Sequence, residues 1–209
     1  MDSKNNKAGR RRGYHHGNLR EALINTALSL ISEKGASGFT IAEAARAAGV
    51  SPAAPYRHFK DRDALLADVA EQGFAVFAKG LEEAWANGQP DPRQAFQRMG
   101  RAYLSFAREE PSYFAAMFES GLSFKSFPPL QEASDRAFAV LRDGCEALIG
   151  TLPAERRPPV MMMALHIWSL SHGIAALFAR GDDARRPIPM EAEDLLEAAV
   201  LIYVDGLRG

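Results

Sequence analysis

From Leu19 almost to the end of the chain, apolar residues recur every three or four positions, the spacing of helices that each bury one face. Leu19, Leu23, Ala27, Leu30 and Ile31 make the first such stripe, which ends near Gly35, and Asn18 with Glu21 is spaced as a capping box at its start. Ile41, Ala44, Ala45 and Ala48 make a second, shorter stripe that leaves Glu43 and Arg46 on the wet side. Leu65, Leu66, Val69, Phe74 and Phe77 carry a helix of about 25 residues from a cap at Asp61 towards Trp85, long enough to bridge two domains. From Pro92 onward, proline and glycine part further helices at roughly 92–110, 111–120, 128–150, 158–180 and 190–207. Neither an alternating strand pattern nor an internal repeat is visible. The predicted fold is all-α, with a small N-terminal head of three helices and a larger helical body.

The head's second and third helices read as a tight hairpin from Thr40 to Phe59. Thr40 and Glu43 can each satisfy the other's backbone N–H, which starts a helix at Ile41. Gly49 stops it, because glycine reaches left-handed backbone angles at little steric cost. Ser51 and Pro52 then restart a helix, the hydroxyl as cap and the proline where a missing N–H does no harm. Ala45 is small enough for the two helices to cross closely. Helix, glycine turn, helix is the plan of a DNA-reading helix-turn-helix, and the plain alternative is a hairpin inside a helical bundle. On the DNA reading, Ser51, Pro52, Ala53 and Ala54 form the turn that approaches base edges, and Thr40 can offer its hydroxyl or N–H to the duplex backbone. Pro55 is awkward, because in a helix capped by Ser51 it forfeits the first bond to the Ser51 carbonyl. An irregular start to the recognition helix is therefore expected.

Charge supports the division into head and body. Residues 1–62 hold eleven Lys or Arg against five Asp or Glu, and residues 63–209 hold fourteen against twenty-one, so a net charge of −1 conceals +6 and −7. A basic head on an acidic body suits a protein whose head alone meets a polyanion. Residues 1–17 are polar, basic and without periodicity, so they are expected to be a disordered arm when free; they hold no apolar run of signal-peptide type. Arg10, Arg11 and Arg12 suit phosphates or a minor groove. His15 and His16 stand together without the Cys or carboxylate company of a metal site, so neither a metal nor another cofactor is expected.

In the body, Phe96, Tyr103, Phe106, Tyr113, Phe114, Phe118, Phe124 and Phe127 crowd into thirty-two residues, with Met99 and Met117 among them. Each alone reads as helix core. Together they could line an apolar cavity for a small molecule, with tyrosine hydroxyls as polar handles and Gly121–Pro129 as a flap or entrance. A single cysteine, Cys145, excludes an internal disulfide, which suits a reducing cytoplasm. Val160–Phe178 is nearly long and apolar enough to span a membrane, yet His166, Ser169, Ser171, His172 and Gly173 interrupt it. An enzyme is not expected: His166, His172 and Cys145 supply reactive atoms, but no nucleophile elbow, phosphate loop or metal-spaced cluster organises them.

The run AARAAGVSPAAPYRHFKDRDALL, within about Gly17 to Leu66, resembles the N-terminal DNA-binding domain of the TetR/AcrR family of bacterial transcriptional regulators. The resemblance implies an Ω-shaped homodimer in which residues 18–62 read DNA and residues 63–209 dimerise and bind a small-molecule effector. It implies a palindromic operator, with repression as the usual mode; a DNA binder of purely architectural role, with no effector, is the alternative. Tyr56, His58 and Lys60 match family positions that touch phosphates. Arg57 is left with three readings: solvent, an acid of the next helix, or a guanine edge. Phe59 reads as core, and Pro55 departs from the family's commoner bulky apolar residue. Trp168, His172 and Gly173 resemble the Trp-His-Gly signature of one subgroup's C-terminal domain. There, core tryptophan and hydrogen-bonded histidine is the first reading and a ligand contact the second. The expected ligand-binding set is thus Phe96, Met99, Tyr103, Phe106, Phe114, Met117, Phe118, Phe124, Trp168 and His172. The expected four-helix dimer interface takes Leu165, Trp168, Leu170, Ile174 and Leu177 from one helix and Leu195, Ala199, Ile202 and Tyr203 from the last.

Overall fold

The computed structural model describes residues 19–178 and 188–208. The basic arm with Arg10, Arg11, Arg12, His15 and His16, and the cap residue Asn18, lie outside the described residues. Among those described are eight α-helices: α1 Leu19–Lys34, α2 Ile41–Ala47, α3 Arg62–Trp85, α4 Pro92–Glu109, α5 Pro111–Phe118, α6 Pro128–Gly150, α7 Val160–Phe178 and α8 Ala192–Arg208. No strand occurs among the described residues, and the fold is all-α.

The caps follow the local chemistry. Thr40 accepts the Glu43 N–H at 3.2 Å while Glu43 accepts the Thr40 N–H at 2.8 Å, so the capping box closes in both directions. Gly49 adopts φ 72° after α2, and Val50 N–H returns to the Ala45 carbonyl at 3.0 Å. Asp61 takes the Ala64 N–H at 2.9 Å to open α3.

α3 is the axis of the molecule. Its 24 residues span roughly 36 Å at 1.5 Å per residue. Its first turns bury Leu65, Leu66 and Val69 against α1, and its later turns bury Phe74, Phe77 and Leu81 against α4, α5 and α6. Removing each such side chain from water stabilises the fold by roughly 1.5–3 kcal/mol. One continuous apolar core therefore runs from head to body. α5 comes close to α3 because Gly73 has no side chain: a Cβ there would lie 2.8 Å from Met117 Sδ and 3.1 Å from Tyr113 Cβ. α1 packs on α5 as well as on α3, so the head touches the body at two helices.

Two arginines lock the head onto α3. Arg62 donates to the Phe39 carbonyl at 3.0 Å and to the Ala36 carbonyl, with its guanidinium 5.0 Å over the Phe39 ring. Arg20 of α1 meets Asp68 of α3 at 2.7 Å. Asp68 is buried and its Oδ2 has no partner, so burial holds its carboxyl above the usual range, with Arg20 pulling the other way.

The predicted restart of a helix at Ser51 is corrected. From Ser51 to Phe59 the chain makes a turn, with Ala54 N–H on the Ser51 carbonyl at 3.0 Å, and then the three-residue 3-10 turn Pro55–Arg57. Pro55 has no N–H to give the Ser51 carbonyl, so the α-helical ladder cannot start there. His58 and Phe59 both bond back to the Pro55 carbonyl at 2.9 Å. Pro55 itself is fully buried, with Phe59 beside it in the head's core.

Candidate functional site

The hairpin leaves small and cationic side chains exposed on the head. Ser51, Pro52 and Ala53 are exposed and Ala54 is half-buried. The N–H groups of Ser51 and Ala53 have no acceptor among the described residues, which leaves them open to phosphate. Tyr56 is 57% exposed, and Arg57, His58 and Lys60 are exposed around it. Arg57 pairs with no acid among the described residues, so the reading that ties it to an acid of α3 is absent here. Thr40 differs from expectation in one respect. Its N–H and its hydroxyl both point at Glu43 Oε2, at 2.8 and 3.0 Å. Glu43 also holds Lys34 at 2.7 Å, and that hydrogen bond, followed by the Thr40 N–H, keeps its carboxyl down at about 2. A phosphate contact by Thr40 would have to displace this carboxylate.

The body contains a cavity of about 310 Å³ between α3, α4, α6, α7 and α8. Phe96, Met99, Tyr103, Phe118 and Trp168 of the expected set line it. The remaining five do not. Phe106 packs behind, 5.0 Å from the Phe77 ring; Phe124 rests on Phe74 at 5.7 Å; Phe114 lies between Tyr103, Phe118 and His172; and Met117 fills the gap over Gly73. The Gly121–Pro129 segment, with its 3-10 turn Phe124–Ser126, thus lies over the middle of α3 and contributes no residue to the cavity lining. Sequence reasoning missed Phe74, Phe77 and Leu81 of α3, Phe138 and Leu141 of α6, and Leu196 and Val200 of α8. Their apolar character was plain, but only the crossing of distant helices sets them around one space.

His172 stands at the back of this wall. Its Nδ1 lies 3.0 Å from the Tyr103 hydroxyl, and its ring stacks on Phe114 at 5.3 Å and meets Phe118 at 5.0 Å. Burial pushes the His172 pKa below its ordinary value, against a weaker pull from Glu119, and burial pushes the Tyr103 phenol up. A neutral ring pairs with the phenol hydroxyl in either direction, according to its tautomer, and the tyrosine handle expected to face a ligand is turned into the protein. Burial raises the Cys145 thiol to about 12, which keeps it protonated and unreactive. No three His, Cys, Asp or Glu residues assemble as metal ligands among the described residues.

α7 is the one described helix long and apolar enough to cross a membrane. Its inner side packs on α4, α6 and α8, while its outer side shows Met161, Met162, Leu165 and Leu177 to solvent. On α8, Ile202 is 75% exposed. Ile174 is buried within the chain and so is not available to a partner helix, contrary to expectation, while Trp168 is half-buried beside the cavity and Phe138. Leu170, Leu195, Ala199 and Tyr203 are half-buried, and Tyr203 is 3.1 Å from His166 Nδ1. Gly173 sits on the exposed side with nothing within 4 Å of where a Cβ would be.

Residues 23–69 match the family described as bacterial regulatory proteins, tetR family, and residues 96–203 match the tetracyclin repressor-like, C-terminal domain. The uncharacterized HTH-type transcriptional regulator YobS of Bacillus subtilis is 22% identical over 198 residues, covering 91% of this chain and 93% of its own length. A solved protein of unknown function from Rhodococcus sp. RHA1 superposes with a TM-score of 0.76 at 30% identity, over 95% of this chain and 100% of that one. The fatty acid degradation regulator FadR from Bacillus halodurans superposes with a TM-score of 0.72 over 93% of this chain and 99% of its own. At 14% identity that last likeness speaks for the fold alone.

Proposed function

This chain belongs to the tetR family of bacterial regulatory proteins and is a DNA-binding transcriptional regulator, and from that footing we propose that it is a homodimeric repressor which a small molecule releases from a palindromic operator. The single observation that carries the proposal is that α3 serves both ends. Its first turns form the head's core behind the hairpin, and Phe74, Phe77 and Leu81 farther along it form a wall of the cavity. An occupant that bears on those three side chains bears on the helix that carries the head. It shifts the balance between DNA-competent and incompetent dimers by as much as its affinity for the two differs.

The reading assigns residues 18–62 to DNA and residues 63–209 to dimerisation and ligand, with the basic arm of residues 1–17 adding phosphate contacts. Within the hairpin, Ser51, Pro52, Ala53 and Ala54 approach base edges, and Tyr56, Arg57, His58 and Lys60 fix the register on phosphates. The outer faces of α7 and α8 pair with their copies in a four-helix interface. Such a regulator works where the chromosome is, in the cytoplasm. The test has two steps: compounds that raise the melting temperature of the full-length protein are added to its complex with DNA. Binders should release the DNA, and a compound that binds tightly yet leaves the complex intact contradicts the effector half of the proposal.

A further inference from the structure

The cavity's polar groups are distributed unevenly, and that narrows its ligand. Four ionisable side chains border it: Arg101, Asp135, Glu193 and Glu197. Arg101 is the one cation among the described lining residues, and it is already engaged: it meets Glu197 at 3.1 Å, and Glu197 also takes the Gln97 amide at 3.1 Å. Glu193 is neutralised from outside the lining by Arg108 at 2.8 Å. Asp135, exposed at the cavity's rim, forms no ion pair among the described residues; it accepts the Gln131 amide at 2.8 Å. The uncharged side-chain donors of the lining are Gln97, Tyr103, Ser134, Trp168 and Ser171, and three of them are already engaged. Ser171 gives its proton to the Ile167 carbonyl at 2.9 Å, and the Tyr103 hydroxyl is committed to His172.

A carboxylate or phosphate head group would find the one cation of the described lining already engaged and a surplus carboxylate at the rim. A cation would find Asp135 unpaired and, one helical turn on, the ring of Phe138, whose neighbour at 6.3 Å is Trp168. We propose that this cavity selects a lipophilic cation, of the aryl or alkyl quaternary ammonium or phosphonium class, over a fatty acid of the same bulk. The inference rests on the cavity being the effector site. It separates this chain from the fatty acid regulator whose fold it shares.

Isothermal titration of the full-length protein tests it with two pairs of probes: tetraphenylphosphonium against tetraphenylborate, which share a shape and differ in sign, and dodecyltrimethylammonium against dodecanoate. Triphenylphosphine oxide is the uncharged control. Each cation should bind at least about tenfold more tightly than its anionic twin, and Asp135→Asn should weaken both cations roughly three- to tenfold while leaving the control unchanged. Anions that bind as tightly as the cations, or cation binding indifferent to Asp135→Asn, would overturn the selectivity and leave the effector site standing. Failure of every probe to bind would overturn both.

Discussion

The Tyr103 hydroxyl of α4 and the His172 ring of α7 meet at 3.0 Å through Nδ1, directly behind the cavity wall. Because burial disfavours the imidazolium, the ring is held neutral, and the phenol has a fixed partner. The pair joins the helix that lines the cavity to the helix whose outer face is open to a second copy.

This pair makes stability depend on pH. Well above the unfolded pKa of about 6.5 the ring is neutral whether the chain is folded or not, and stability is at its full value. As pH falls below that, the unfolded chain takes up a proton that the folded ring refuses, so stability is lost until pH passes the folded pKa. The melting temperature should therefore fall more steeply between about pH 7.5 and 5.5 for the wild type than for His172→Gln. Parallel curves would mean the ring is not held neutral.

Arg20 and Asp68 give a second prediction. Losing one member of a buried pair costs about 3–5 kcal/mol, but Arg20 is half in solvent, so about 1–2 kcal/mol is expected for Arg20→Ala. Asp68→Asn removes the buried charge while its amide oxygen can still accept from Arg20, and should cost less than about 1 kcal/mol. Urea unfolding that ranks the two variants the other way would count against this account of the head's anchor.

Gly173 separates folding from dimerisation. Its missing side chain faces open space within one chain, so Gly173→Leu should leave the monomer folded and gain about 0.5–1 kcal/mol of helix propensity. A leucine on the outer face of α7 would nonetheless hold a partner helix away. Light scattering should report monomers for this variant and for Ile202→Glu. An intact dimer in both would move the interface elsewhere.

Lys60 carries a prediction about salt. If its ammonium sits on a phosphate, Lys60→Ala weakens binding about equally for all DNA sequences and lowers the slope of log K against log salt by about one. An unchanged slope would remove Lys60 from the phosphate contacts.

Much of the head was legible because its signals are local. The Thr40–Glu43 box, the Gly49 stop and the Asp61 cap each involve residues within three or four positions, and each appears at its expected place. The restart at Ser51 failed because Pro55 removes the bond that a Ser51 cap would need to propagate. Local capping preference cannot outweigh a missing donor at the first closed turn. The cavity was legible only in part, for a different reason. Phe96, Met99 and Tyr103 share a helical stripe and point one way, but whether Phe114 faces a void or a histidine depends on where α7 crosses, sixty residues later in the chain. The same holds for Ile174, whose apolar character suits a dimer seam as well as the core it occupies.

Two copies of this head, acting together, require a two-fold symmetric DNA site. Selection of bound duplexes from a random pool by the full-length protein tests it most directly. The account predicts an imperfect inverted repeat whose half-sites lie about one helical turn apart, roughly 34–36 Å between centres. Enrichment of a single asymmetric half-site, or of no sequence at all, would contradict it.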